Sequence, residues 1–213
     1  MDSEAGLTAA VAALPARFEA LRSGDEAAIL GTLQEMAALA PPVHDAAQSW
    51  RWCQFAAGTC VAMQLLAVLA PLLEDERYTD AVLALCVPLL ASLQRHKRDV
   101  DEDDADSLFV ELGVEAGPEF FTVLIDPLIT LLARAAADEG ASGDALQRVQ
   151  RRVHAVLECL YAVHMLTEEE VLSLHERFDQ LEEALVALLR RTPCSSMDVN
   201  AYRAANMLSL CDG

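Results

Sequence analysis

Aromatic side chains are scarce in this chain, at 5% of 213 residues. Nowhere do Val, Ile, Thr and aromatic residues alternate with polar ones, as half-buried strands would require. That excludes a β-rich fold. The six cysteines, Cys53, Cys60, Cys86, Cys159, Cys194 and Cys211, are scattered, with no C-x-x-C pair. This excludes a close-set disulfide framework and fits a reducing compartment. Basic residues are few: 15 Lys and Arg stand against 34 Asp and Glu, for a formal net charge of −19. Direct binding of nucleic acid, which depends on Lys and Arg displacing counterions from phosphates, is therefore not expected. The balance favours a basic protein partner, although an acidic surface also serves solubility alone. The opening Met1-Asp2-Ser3-Glu4-Ala5 is acidic. It lacks the basic start and apolar block of a signal peptide and the Arg-rich character of a transit peptide, so the expected location is the cytoplasm, with the nucleus as the alternative.

The words that mark catalysis are missing as well. Neither Glu-x-x-His nor His-Glu-x-x-His occurs. Gly140-Ala141-Ser142-Gly143 is too short to cradle phosphates and lacks the Gly-Lys-Ser/Thr ending. The Ser and Cys cluster between Thr192 and Ser196 lies beside Pro193 with no histidine near it. His154, Cys159 and His164 fall in one helical stretch, but steps of five residues turn successive side chains through about 140° and scatter them around the axis. The expectation is a chain that is not an enzyme and holds no cofactor or metal.

What the chain has in quantity is Ala and Leu. Hydrophobic residues make up 54% of it, ample for a sizeable core, and helix propensity points one way throughout. The organising stretch runs from Trp50 to Leu93, and between Trp52 and Leu73 it holds no charged residue. Such a run has the roughly 20 residues of a bilayer span. Gln54, Thr59, Gln64 and many alanines lower its hydrophobic gain, so a buried helix is the preferred reading and membrane insertion the disfavoured one. Glu74 to Tyr78 forms a polar connection, and Thr79 is placed to cap a second helix through Val82, Leu85, Leu89 and Leu93, giving an antiparallel hairpin. Prolines recur before branched apolar residues at Pro71-Leu72-Leu73, Pro88-Leu89-Leu90 and Pro127-Leu128-Ile129. Read as bends inside helices, they point to stacked, curved helix pairs.

Around this centre the chain reads as a succession of amphipathic helices. A first segment spans Leu7 to Leu21. After a break at Ser23 to Glu26, with Ser23 and Glu26 in capping-box spacing, a second runs to about Ala40 with Ile29, Leu33 and Met36 on one face. Arg95 to Arg98 is followed by six acids among the eight residues from Asp99 to Asp106, a solvated block that is a candidate docking loop. Gly117-Pro118 is a further break. Apolar helices are then expected from Glu119 to about Ala137, from Asp144 to Met165 with Leu146, Val149, Val153, Val156, Leu157, Leu160 and Val163 inward, and from a Thr167–Glu170 capping box through Phe178 to Leu188. Residues 1–193 are expected to form one helical domain, with 194–213 a tail bearing at most a weak helix near Tyr202 to Leu210.

Pro127-Leu128-Ile129, followed by Val149-Gln150-Arg151-Arg152-Val153-His154-Ala155-Val156-Leu157, resembles the HEAT class of helical repeats. That resemblance implies an α-solenoid acting as a scaffold or binding surface. A shorter likeness covers Leu160-Tyr161, Met165-Leu166-Thr167-Glu168-Glu169 and Val171-Leu172, which resemble a box in the C-terminal HEAT-like domain of translation initiation factors. It implies the binding of basic partner segments. The family's box has Trp where Leu174 stands here, and its closing aromatic-acidic segment has no counterpart after Leu188.

The expected architecture is thus all-α, an α-solenoid or irregular bundle of about four to five helix pairs. The expected role is a noncatalytic interaction module that recognises a peptide or helix of basic character. On charge, the candidate partner-binding residues are Asp101, Glu102, Asp103, Asp104 and Asp106, with Glu168, Glu169 and Glu170. Trp50 and Trp52 join them as potential aromatic anchors, a use that competes with ordinary core packing.

Overall fold

Leu-rich amphipathic periodicity without strand patterning leaves burial against other helices as the way to cover the apolar faces. A computed structural model describes residues 14–38, 65–99, 122–138, 140, 142–167, 172, 175–191 and 199–211. Among these the protein is all-helical, with eight helices and no strand. They are α1 (Leu14–Arg22), α2 (Glu26–Ala38), α3 (Leu65–Glu74), α4 (Thr79–Asp99), α5 (Ile125–Ala137), α6 (Asp144–Leu166), α7 (Phe178–Arg191) and α8 (Val199–Cys211). The chain separates into two compact units, Met1–Phe120 and Phe121–Gly213, the division falling just after the Gly117-Pro118 break.

In the first unit α1 and α2 form one hairpin and α3 and α4 another. The first turns at Gly24, whose φ of 75° is left-handed, a conformation that glycine adopts without a Cβ clash. Asp25 Oδ1 accepts from the Ala27 N–H at 3.0 Å and so caps α2. The cap is thus Asp25 and not Ser23, whose hydroxyl instead donates to the Ala20 carbonyl at 2.7 Å and finishes α1. Thr79 likewise points backward. Its buried hydroxyl donates to the Leu73 and Asp75 carbonyls at 2.9 and 3.0 Å, closing the end of α3 where a cap for α4 was expected. Arg77, immediately before α4, reaches Glu26 at the start of α2 at 3.2 Å, so the two hairpin turns sit side by side. Because α2 also packs on α4, and α1 on α3, the hairpins stack in parallel. Ile29, Leu33 and Met36 of α2, with Leu66, Leu69, Leu73, Val82, Leu85, Leu89 and Leu90 of α3 and α4, form the core.

The second unit repeats this plan with α5–α6 and α7–α8. Two arginines at opposite ends of α7 fix its direction, since Arg177 reaches Asp126 and Thr130 at the start of α5 while Arg191 reaches the Ala135 and Ala136 carbonyls at its end. α7 therefore runs parallel to α5. Asn200 meets Gln150, and Arg203 meets His154 and Glu158, so α8 runs parallel to α6. Helices α7 and α8, which also pack together, are antiparallel. The enclosed core gathers Leu124, Leu128, Leu132, Val156, Leu157, Leu160, Val163, Leu181 and Leu185.

Three sequence expectations change here. Helix α7 begins at Phe178, well after Thr167, whose hydroxyl donates to the Val163 carbonyl at 2.8 Å and ends α6. Leu146 is exposed, although its spacing placed it inward. Pro127 stands in the first turn of α5, where a missing N–H costs nothing, whereas Pro71 and Pro88 do lie inside α3 and α4.

Candidate functional site

All ten residues singled out for partner binding, Trp50, Trp52, Asp101, Glu102, Asp103, Asp104, Asp106, Glu168, Glu169 and Glu170, lie outside the described residues. The described side chains that could do chemical work gather instead at two seams of the second unit.

At the seam of α5 and α7, the chain turns at His175. The Arg177 N–H donates to His175 Nδ1 at 3.3 Å, which leaves the imidazole proton on Nε2, 4.0 Å from Asp126 Oδ1. The Arg177 guanidinium donates to the Asp126 carbonyl and Oδ1 at 3.0 and 3.1 Å, to Thr130 Oγ1 at 3.1 Å and to Gln180 Oε1 at 2.7 Å. The planar fork is thus shared between the start of α5 and Gln180 in the first turn of α7. At the other end, Arg191 donates to the Ala135 and Ala136 carbonyls at 3.2 and 2.7 Å, which lie in the last turn of α5 where carbonyls lack intrahelical donors. The two arginines are fasteners, with no donor left for a ligand at Arg177.

At the seam of α6 and α8, Gln150, His154 and Glu158 follow one another at four-residue steps and so share one face of α6. Arg203 pairs with Glu158 and lies 3.0 Å from His154 Nε2, while the Asn200 amide donates to the Gln150 carbonyl at 3.0 Å. The Glu158 carboxylate, which could otherwise act as a base, is held by the Arg203 guanidinium that also lies against the His154 ring. The imidazole and carboxylate groups are divided between the seams: His154 and Glu158 lie here, His175 at the other. Cys159 and His164 are buried while His154 is exposed, the scatter that five-residue steps dictate. Among the described residues no group of three or more His, Cys, Asp or Glu side chains is placed to hold a metal ion. In the first unit burial pushes the Cys86 thiol up to about 12, which makes it a poor nucleophile.

Comparison with protein-family models, with curated proteins and with solved structures gives no match to the chain. Sequence reasoning missed Arg177, Arg191, Asn200 and Arg203. None of the four carries a motif, because their meaning depends on which helices become neighbours.

Proposed function

We propose that the chain is a noncatalytic binding module, an α-solenoid of HEAT-like helix pairs that recognises a peptide or helix of basic character within a larger assembly. The observation that supports it is the stacking: in each unit two antiparallel hairpins lie on one another, first helix on first and second on second, with parallel sense. That is the packing by which helical repeats extend into open surfaces and present side chains to a partner. The initiation-factor likeness leads to the same kind of ligand, a lysine-rich segment. In that likeness Leu160, Leu166 and Leu172 supply buried positions of the box, and Thr167 ends its first helix.

The acidic residues Asp101 to Asp106 and Glu168 to Glu170 fall, in sequence, between α4 and α5 and between α6 and α7, where carboxylates can meet Lys and Arg of a ligand. Trp50 and Trp52 would add apolar anchorage. A cytoplasmic or nuclear setting accords with the scattered cysteines. Of the uncharged stretch behind the membrane-associated alternative, Trp52 to Gln64 lie outside the described residues, and among the described residues no helix is long and apolar enough to cross a membrane.

Titration of the full chain with a fluorescent lysine-rich peptide at physiological salt tests the reading. Saturable binding is expected, weakened at least about tenfold when Asp101→Asn, Glu102→Gln, Asp103→Asn and Asp104→Asn are combined. Binding that vanishes at physiological salt, or that ignores the four changes, would remove the acidic docking surface.

A further inference from the structure

The turns that precede α4 and α7 are built alike. Asp75-Glu76-Arg77-Tyr78 and His175-Glu176-Arg177-Phe178 stand 100 residues apart in the sequence. In the first, the Arg77 N–H donates to Asp75 Oδ1 at 3.0 Å and the Tyr78 N–H to the Asp75 carbonyl at 2.9 Å. In the second, the Arg177 N–H donates to His175 Nδ1 at 3.3 Å and the Phe178 N–H to the His175 carbonyl at 2.9 Å. In both, a side chain accepts the backbone N–H two residues on and a carbonyl closes the turn three residues on. Glu76 and Glu176 are exposed, while Tyr78 is buried and Phe178 half-buried.

Each arginine then makes the same long-range contact. Arg77 Nη1 donates to Glu26 Oε2 at 3.2 Å, and Arg177 Nη1 to Asp126 Oδ1 at 3.1 Å. Both acids stand in the first turn of a helix, α2 or α5, and both lie 51 residues before their arginine. Further along these two helices Ile29 and Ile129 are buried at matching places, as are Thr32 and Leu132. After the turns Ala84, Leu85 and Leu89 recur as Ala184, Leu185 and Leu189, with Leu85 and Leu185 both buried. Where the stretches differ, burial differs in the same sense: Val82 and Leu83 are buried, and Glu182 and Glu183 in their places are exposed. Composition alone accounts for a few shared Ala and Leu in a chain rich in both. It does not account for a shared turn whose arginine meets an acid at the same distance back along the chain.

We infer that α2 to α4 and α5 to α7 are two copies of one helical module, arisen by duplication, and that the turn before the last helix of each copy is its joint, whose arginine ties that helix to the first. The boundary between the two compact units, after Phe120, falls between the copies, and α1 and α8 lie outside them. The module is offset from the hairpins by one helix, since α2 is the second helix of its hairpin and its counterpart α5 the first. No local motif marks the joint; its recurrence does. The inference goes beyond the binding-module reading and stands whether or not that reading holds.

Exchanging the joints between the copies of the full chain tests it. Asp75→His with Tyr78→Phe gives the first copy the turn of the second, and His175→Asp with Phe178→Tyr does the reverse. The controls keep composition and charge but move the arginine by one place: Glu76→Arg with Arg77→Glu in the first copy, and Glu176→Arg with Arg177→Glu in the second. Each control sets a carboxylate against Glu26 or Asp126 and lowers the thermal midpoint by at least about 4 °C. The fourfold exchange keeps wild-type circular dichroism and lowers the midpoint by less than half of either control's loss, because equivalent joints are interchangeable. Should the fourfold exchange fail to fold, His175→Asp with Phe178→Tyr alone is read against the control in the same copy. An exchange that costs half or more of the controls' loss, or a control in either copy that melts with wild type, overturns the inference.

Discussion

Arg177 commits its whole fork to holding α5 and α7 in step, and lysine cannot reproduce that geometry with a single ammonium. Arg177→Lys and Arg177→Ala should therefore both destabilise the second unit, each by about 1–2 kcal/mol, since charge-assisted bonds of this kind are discounted where water reaches them. Urea denaturation followed by circular dichroism checks this, and a lysine variant as stable as wild type would refute it. Cys86 gives a pH prediction. Burial holds its thiol neutral in the folded state up to about 12, whereas the unfolded thiol ionises near its ordinary value of 9.0. Above that lower value the unfolded state sheds a proton that the folded state retains, so stability should fall with a slope approaching about 1.4 kcal/mol per pH unit. Cys86→Ala should flatten the loss between about pH 9 and 10.5 in denaturant titrations. The burial of Cys86 was legible from its apolar helical context. The role of Arg177 was not, because nothing local to residue 177 says that Asp126 and Thr130 will lie against it.

The helices themselves were largely readable in the sequence. Ile29, Leu33 and Met36 in α2, and Val153, Val156, Leu157, Leu160 and Val163 in α6, are buried as their helical spacing requires. Ends were less readable, since Ser, Thr and Asp can serve either the helix before them or the one after. Ser23 and Thr167 matched a capping box yet finish the preceding helix, and Asp25 takes the cap of α2. Asp25→Ala should cost about 1 kcal/mol and Ser23→Ala less, measured by thermal unfolding. Helix α8 left a faint trace because, among its described side chains, only Ala204 and Met207 are buried. It is held in good part by Asn200 and Arg203. Its backbone amides should therefore exchange with deuterium well before those of the central turns of α6, and Arg203→Ala should widen the gap. Equal protection in the two helices would contradict this account of how α8 is held.

At the scale of the whole molecule, the all-helical class followed from composition and the absence of strand patterning, and the structure shares it. The division into two units, each built from two parallel-stacked hairpins, could not be read from proline words alone. What marks the register of the stacking is a few long-range polar contacts, Arg77 with Glu26, Arg177 with Asp126 and Asn200 with Gln150, which are about fifty residues apart in sequence and invisible to local pattern. The proposed function belongs to this scale too, because it rests on the parallel stacking of the hairpins and not on any one side chain. The most direct measurement is recovery of the tagged full chain from a native lysate at physiological salt, with quantitative mass spectrometry, for wild type and for the chain in which Asp101, Glu102, Asp103 and Asp104 are neutralised. The account predicts at least one stoichiometric protein partner with wild type that is lost from the variant. A wild-type chain recovered without any stoichiometric partner, or with the same partners as the variant, would contradict it.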